Sequence, residues 1–469
     1  MSLDVHEFPE RLGAITVREL RAGLLGRDMV WLLVGVQLVL ALAGIYAVQT
    51  SITSSRDALS IMEFAVWAGT SIGLAILSPL RALRALHADR DSRLLELLQL
   101  SSLSAGRIVL GKWISLAVQT ALFLVSLLPF FALRYFLGGA DLIGDAQVLL
   151  IFFAVSLLLQ AAFLLVSTFP IFLRGLALAG VVLVLFGTIP MGLGMGHGPF
   201  GSMSRAFGGL GKDGVWVAVF LAAQLVCGIG ICLTLAAQMI AAPSENYAGR
   251  TRLWVGAWAV CLVCLIQIPR DHPKWGDIAI VALAGIGIAS LFELSAERQF
   301  LPAQLPRWAL RFRGGPVLAL PLLPGWHSAL LFYAPLAIAL LFVGYLGNGS
   351  LNALLLAPQA MALALLPRAI LEAVRWHWFG KRQLAIFALH AGFGVLAIGV
   401  GAACSSVSGK PIWPQFFPPL GFWNGLAWVG PEWSPVSGLV WSVFLLAFVL
   451  IVALCALEPA LKAARKLRS

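Results

Sequence analysis

The sequence predicts an all-α membrane protein, a polytopic transmembrane helical bundle of about twelve spans with both termini cytoplasmic. Three observations carry this. First, 60% of the 469 residues are hydrophobic and only 11% are charged, with a mean hydropathy of +0.93. Because soluble domains carry about 25% charge, an ordinary soluble globule and a disordered chain are both excluded. Second, apolar windows long enough to cross a bilayer as helices recur along the whole chain. Third, Lys and Arg crowd into alternate connections between those windows.

The windows lie near 29–48, 61–80, 113–133, 147–169, 175–195, 215–240, 253–269, 277–293, 328–346, 351–373, 385–404 and 436–457. Residues 1–28 are charged and polar and lack the basic tip, apolar stretch and small-residue site of a cleaved signal peptide. They are read as a cytoplasmic segment with an amphipathic helix over 10–27. With the N-terminus inside, 25 of the 32 Lys and Arg residues fall in cytoplasmic segments and 7 fall outside. That asymmetry fits an even number of spans. The net charge of +11 is then a consequence of topology, and a nucleic-acid partner is not read from it. Domain organisation follows: 1–28, then six spans over 29–242 with an inside segment at 81–112, then six further spans over 243–469.

Two outside regions stand apart from plain loops. Residues 192–214 are Gly-rich, which permits tight turns or a re-entrant segment. Residues 411–435 hold four Trp, three Phe and six Pro, a composition suited to an aromatic belt at the headgroup level. Cys261 and Cys264 form a CxxC inside Leu/Val-rich sequence, where small buried residues explain them better than a redox or metal site.

No motif for catalysis is present. A phosphate-cradling loop needs Gly-x4-Gly-Lys followed by Ser or Thr, and the Gly-Lys pairs at 111–112, 211–212, 380–381 and 409–410 precede Trp, Asp, Arg and Pro. Neither HExxH nor a cluster of Cys and His ligands occurs. No catalytic, cofactor-binding or metal-ligating residue is therefore assigned, and the chain is not read as an enzyme. Within the spans, Arg368 and Glu372 stand four apart and can pair on one helix face, a structural arrangement in which the long side chains reach for the interface. Glu63 lies near the outer end of the second span, whereas a proton-coupled carrier needs more carboxylates at greater depth.

The strongest signal is the inside segment after the second span. Leu94, Leu95, Leu97, Leu98 and Leu100 sit among Asp89, Arg90, Asp91, Arg93 and Glu96, which predicts an amphipathic helix over 88–104 with an apolar face to dock. Arg18-Glu19-Leu20-Arg21 lies ahead of the first span, and Gly111-Lys112 follows the leucine helix. In these residues the sequence resembles the ABC-2 type permeases, the membrane subunits of ATP-driven exporters. Asp89-Arg90, Leu95-Glu96-Leu97-Leu98, Leu103-Ser104 and Gly111-Lys112 stand at the family's spacing, while Arg93-Leu94 and Ser101-Ser102 replace its usual Gly-Thr and Thr-Pro. The resemblance covers about 10–242 and leaves 243–469 without a family.

The resemblance implies a translocation path shared with a second permease chain, identical or different, in the lipid bilayer of a cell membrane, the bacterial cytoplasmic membrane. It also implies a cytoplasmic ATPase subunit that binds ATP and magnesium, this chain holding no cofactor. The coupling helix would use Asp89, Arg90, Leu94, Leu95, Glu96, Leu97, Leu98 and Leu100, and a connecting helix would use Arg18, Glu19 and Arg21. Two other classes stay open: an ion-gradient-driven secondary transporter, and a non-transporting membrane assembly protein.

Overall fold

The computed structural model describes residues 14–24, 26–52, 55–91, 104–137, 142–169, 174–175, 213–241, 245–266, 293, 320–322 and eight positions between 328 and 339. Described regular structure is helical throughout. The chain divides into two compact units, Met1–Ala242 and Pro243–Ser469.

In the first unit α1 (Ala14–Leu24) is followed by α2 (Arg27–Ser51) and α3 (Ser55–Ser71), then a π-helical turn over Ile72–Leu77 that runs directly into α4 (Ser78–Asp91). Next come α5 (Ala105–Phe136), α6 (Leu142–Val166) and α7 (Asp213–Ile240). The second unit contributes α8 (Ala248–Ile266) and a 3-10 turn at Leu320–Leu322. Among the described residues, five helical stretches are long and apolar enough to cross a membrane: Met29–Ser51, Ile61–Leu86, Ala105–Phe136, Ile143–Val166 and Ala222–Ile240. These are compatible with a multi-pass membrane protein.

The core of the first unit lies where α2, α3, α5 and α6 meet. Phe123, Leu127 and Phe131 recur every four residues and form one stripe of α5, which buries against Met62, Val66 and Trp67 of α3, Leu40 and Ala47 of α2, and Val148 and Leu149 of α6. Trp67 meets the edge of Phe131 at 5.3 Å between ring centroids. The opposite side of α2 is exposed along its length, at Trp31, Leu38, Leu42 and Ile45 among others. An outward face that is wholly apolar belongs against lipid or another membrane helix.

Two span boundaries differ from the sequence expectation. The apolar window of the second span closes at Leu80, but the helix continues unbroken to Asp91. Arg81 does not end it because its guanidinium is bonded to Met29 Sδ at 3.0 Å and to the Gly23 carbonyl at 3.3 Å. Likewise α5 starts at Ala105 rather than at 113, and its Lys112 is buried rather than in an open connection. Residues 92–103 of the inside segment expected over 81–112 lie outside the described residues. The expected fifth span and every expected span beyond 293 other than a few positions of 328–346 also lie outside them.

One close approach fixes a residue type. A Cβ on Gly73 would lie 2.2 Å from two atoms of the Phe123 ring, itself 2% exposed. Gly73→Ala should therefore destabilise the protein by about 1–3 kcal/mol through overpacking. Thermal unfolding in detergent should show the loss, and a Phe123→Leu background should show less of it.

Candidate functional site

Two sequence motifs that lie far apart in the chain meet at one end of the first unit. On α1, Thr16, Leu20 and Gly23 fall at helical spacing; Thr16 and Leu20 are buried and Gly23 abuts Gln119 of α5, while Arg18 and Arg21 are exposed. This amphipathic helix lays that face on α5, not on lipid. A Cβ at Gly23 would come within 1.9 Å of Gln119 Nε2, so a larger residue there requires the Gln119 side chain to move. Glu19 then reaches Lys112 Nζ at 3.2 Å, and Lys112 donates a second bond to the Ala85 carbonyl of α4 at 3.2 Å. Arg18 holds the other Glu19 oxygen at 2.5 Å.

Burial would raise the Glu19 pKa, but the Lys112 and Arg18 cations and their hydrogen bonds outweigh it and hold the carboxyl below its usual 4.5. Arg81, one turn before Ala85, bonds the Gly23 carbonyl near the end of α1, where a cation also complements the helix dipole. The result is a charged clamp that ties α1 to α4 and α5. Its only buried cation on α5 is Lys112, at 2% exposure, and breaking it would leave an ammonium in an apolar setting.

The predicted site residues fall as follows. Arg18, Glu19 and Arg21 are on α1, and Glu19 is paired with Lys112 of α5. Asp89 and Arg90 lie in the last turn of α4. Leu94, Leu95, Glu96, Leu97, Leu98 and Leu100, and the pair Arg368 and Glu372, lie outside the described residues.

Three further polar sites were not anticipated from sequence. In the middle of the first unit, Gln160 Nε2 donates to Ser78 Oγ at 2.7 Å and to Thr120 Oγ1 at 2.6 Å. Thr120 gives its own hydrogen to the Leu116 carbonyl at 2.8 Å, so Ser78 is the donor in the 2.6 Å Ser78–Thr120 bond. Gln160 Nε2 also lies 3.3 Å from Ser156 Oγ, and among the described residues Gln160 Oε1 has no donor. Farther along α5, Arg134 bonds Asp145 at 2.6 Å and stands 3.5 Å from Glu63, with its guanidinium over the Trp67 ring at 5.9 Å. Glu63 is thus part of an ion cluster, not an isolated carboxylate.

In the second unit Arg252 Nε bonds Glu293 Oε2 at 2.7 Å, each side chain 1% exposed, and Arg252 Nη1 bonds the Pro321 carbonyl. Glu293 Oε1 and the nearby Tyr333 hydroxyl, both buried, have no hydrogen-bond partner. The available signal was a charge beside an apolar window: Arg252 precedes the expected seventh span and Glu293 ends the eighth. Cys261 and Cys264, expected to be buried, are free thiols on α8, Cys261 half-buried and Cys264 exposed. Among the described residues no three His, Cys, Asp or Glu side chains are placed to hold a metal ion.

No protein-family model, curated protein or solved structure matches the chain.

Proposed function

We propose that this protein is the membrane subunit of an ATP-driven exporter, an ABC-2-like permease whose partner ATPase binds ATP and magnesium. The observation that supports this best is the Glu19–Lys112 ion pair. It joins the Arg-Glu-Leu-Arg helix and the Gly-Lys segment, the two ends of the motif on which the resemblance rests. The clamp holds α1, the end of α4 and the start of α5 as one body, and residues 92–103 span from α4 to α5. Force applied to that short connection by a partner would move two membrane helices together instead of bending a loop. In this reading the termini and the clamp are cytoplasmic, the full chain has about twelve spans, and a second permease chain completes the path.

The docking residues would be Leu97 and Leu98 with their charged neighbours Asp89, Arg90 and Glu96. Interfaces concentrate their energy in a few buried anchors of about 2 kcal/mol or more each. Changing Leu97 and Leu98 to Asp should abolish co-purification of a tagged ATPase at equal membrane expression. Unchanged recovery would remove docking from this segment. A second reading, ion-gradient-driven transport, is favoured by one observation, the fully buried Arg252–Glu293 pair with its unpartnered Glu293 Oε1.

A further inference from the structure

The second membrane stretch, Ile61–Leu86, changes helical register in its middle. Over Ile72–Leu77 it is π-helical, and the Ser78 N–H bonds the Gly73 carbonyl five residues back. Pro79 explains why. In an α-helix its ring would collide with the Ala75 carbonyl, and it has no N–H to offer that carbonyl. The wider turn relieves the collision but creates a new vacancy. In the same five-back register the donor for the Leu74 carbonyl would be the N–H of Pro79, which does not exist. Ser156 of α6 supplies it: Ser156 Oγ donates to the Leu74 carbonyl at 2.7 Å, in a fully buried bond. Ser78 is pinned by Thr120 and Gln160 one residue farther on, and the widened backbone at Gly73 rests on the Phe123 ring.

Beside the helix's own Ser78–Gly73 bond, the bonds that hold this register come from α5 and α6. π-turns inside α-helices occur frequently at functional sites, and here the turn divides α3 from α4, which carries the clamp residues Arg81 and Ala85. We infer that Ile72–Leu77 is a register switch: the π state is held by Ser156 and Pro79, and conversion to α geometry turns α4 relative to α3. One residue of register is about 100° of rotation in an α-helix. That rotation breaks the Ser156–Leu74 bond and carries Arg81 away from the Gly23 carbonyl.

The test needs no partner, so it stands apart from the proposed transport role. Spin labels are placed at Arg84 and Arg107, exposed on α4 and α5, and in a second sample at Phe64 and Leu128, exposed on α3 and α5. The six native cysteines are replaced. Distances are measured by pulsed electron paramagnetic resonance in lipid nanodiscs for wild type, Pro79→Ala, Ser156→Ala and the control Thr234→Val, whose hydroxyl bonds only its own helix. Both hinge variants should add an 84–107 population displaced by about 5 Å or more, the arc of an α-helix surface turned by one residue. The 64–128 distance should not change in them, and neither pair should change in the control. Wild-type distributions for both pairs in both variants would overturn the switch, as would a joint shift of both pairs. Should Ser156→Ala fail to insert, Pro79→Ala decides alone, since it restores the backbone N–H and removes the ring that collides with the Ala75 carbonyl.

Discussion

Replacing Arg252 with methionine should destabilise the second unit by about 3–5 kcal/mol, because it strands a buried carboxylate. Glu293 is 1% exposed and has the Arg252 guanidinium as its bonded partner, with its other oxygen already unsatisfied. The loss should appear as a lower unfolding midpoint in mixed micelles. Glu293→Leu alone should be similarly harmful, since it strands the cation instead. The double variant Arg252→Met with Glu293→Leu should recover most of the loss, because removing both charges removes their desolvation as well. A double-variant loss equal to the sum of the two single losses would mean that the two residues contribute independently, and the ion pair would lose its structural role.

The second large effect is expected at the clamp. Lys112→Met removes the cation that bridges Glu19 and the Ala85 carbonyl. Hydrogen bonds to charged groups contribute about 1.5–3 kcal/mol each, so α1 should detach while the membrane helices stay folded. Amide hydrogen exchange should report this as loss of protection confined to Ala14–Leu24. The pH dependence has a definite sign. Glu19 titrates below 4.5 in the folded protein, so its contribution is complete above the ordinary carboxylate range and is lost as pH falls through the depressed value. Wild-type α1 should therefore lose protection on acidification, after correction for intrinsic exchange rates, and Lys112→Met should show no such transition. Protection in Lys112→Met equal to wild type would show that burial of Thr16 and Leu20 alone holds the helix.

Much of the helical architecture was legible because bilayer thickness imposes a length on every apolar window. The windows at 29–48, 61–80, 113–133, 147–169 and 215–240 each correspond to an apolar helix. Their inner boundaries were not legible, because a sequence window closes at the first Arg or Lys, whereas Arg81 and Lys112 find partners within the fold and the helices continue past them. The helix passes through Pro79 because Ser156, on a different helix, satisfies the carbonyl that proline leaves open.

The site was legible only in pieces. Arg18-Glu19-Leu20-Arg21 and Gly111-Lys112 could be singled out separately, but nothing in local spacing shows that Glu19 and Lys112 touch. The same holds for Glu63, which looks isolated until α5 and α6 bring Arg134 and Asp145 together beside it. Ser78, Thr120, Ser156 and Gln160 are lost in the average of apolar windows, although their mutual bonds join three helices.

The transport proposal turns on what residues 92–103 touch in the cell. A photo-activatable phenylalanine analogue at Leu97 tests this directly. After irradiation of intact cells, the account predicts a cross-linked adduct that contains a soluble ATPase, labels with a photoreactive ATP analogue and disappears when Leu98 is changed to Asp. Cross-links to lipid alone, or to a protein that does not bind ATP, would contradict it.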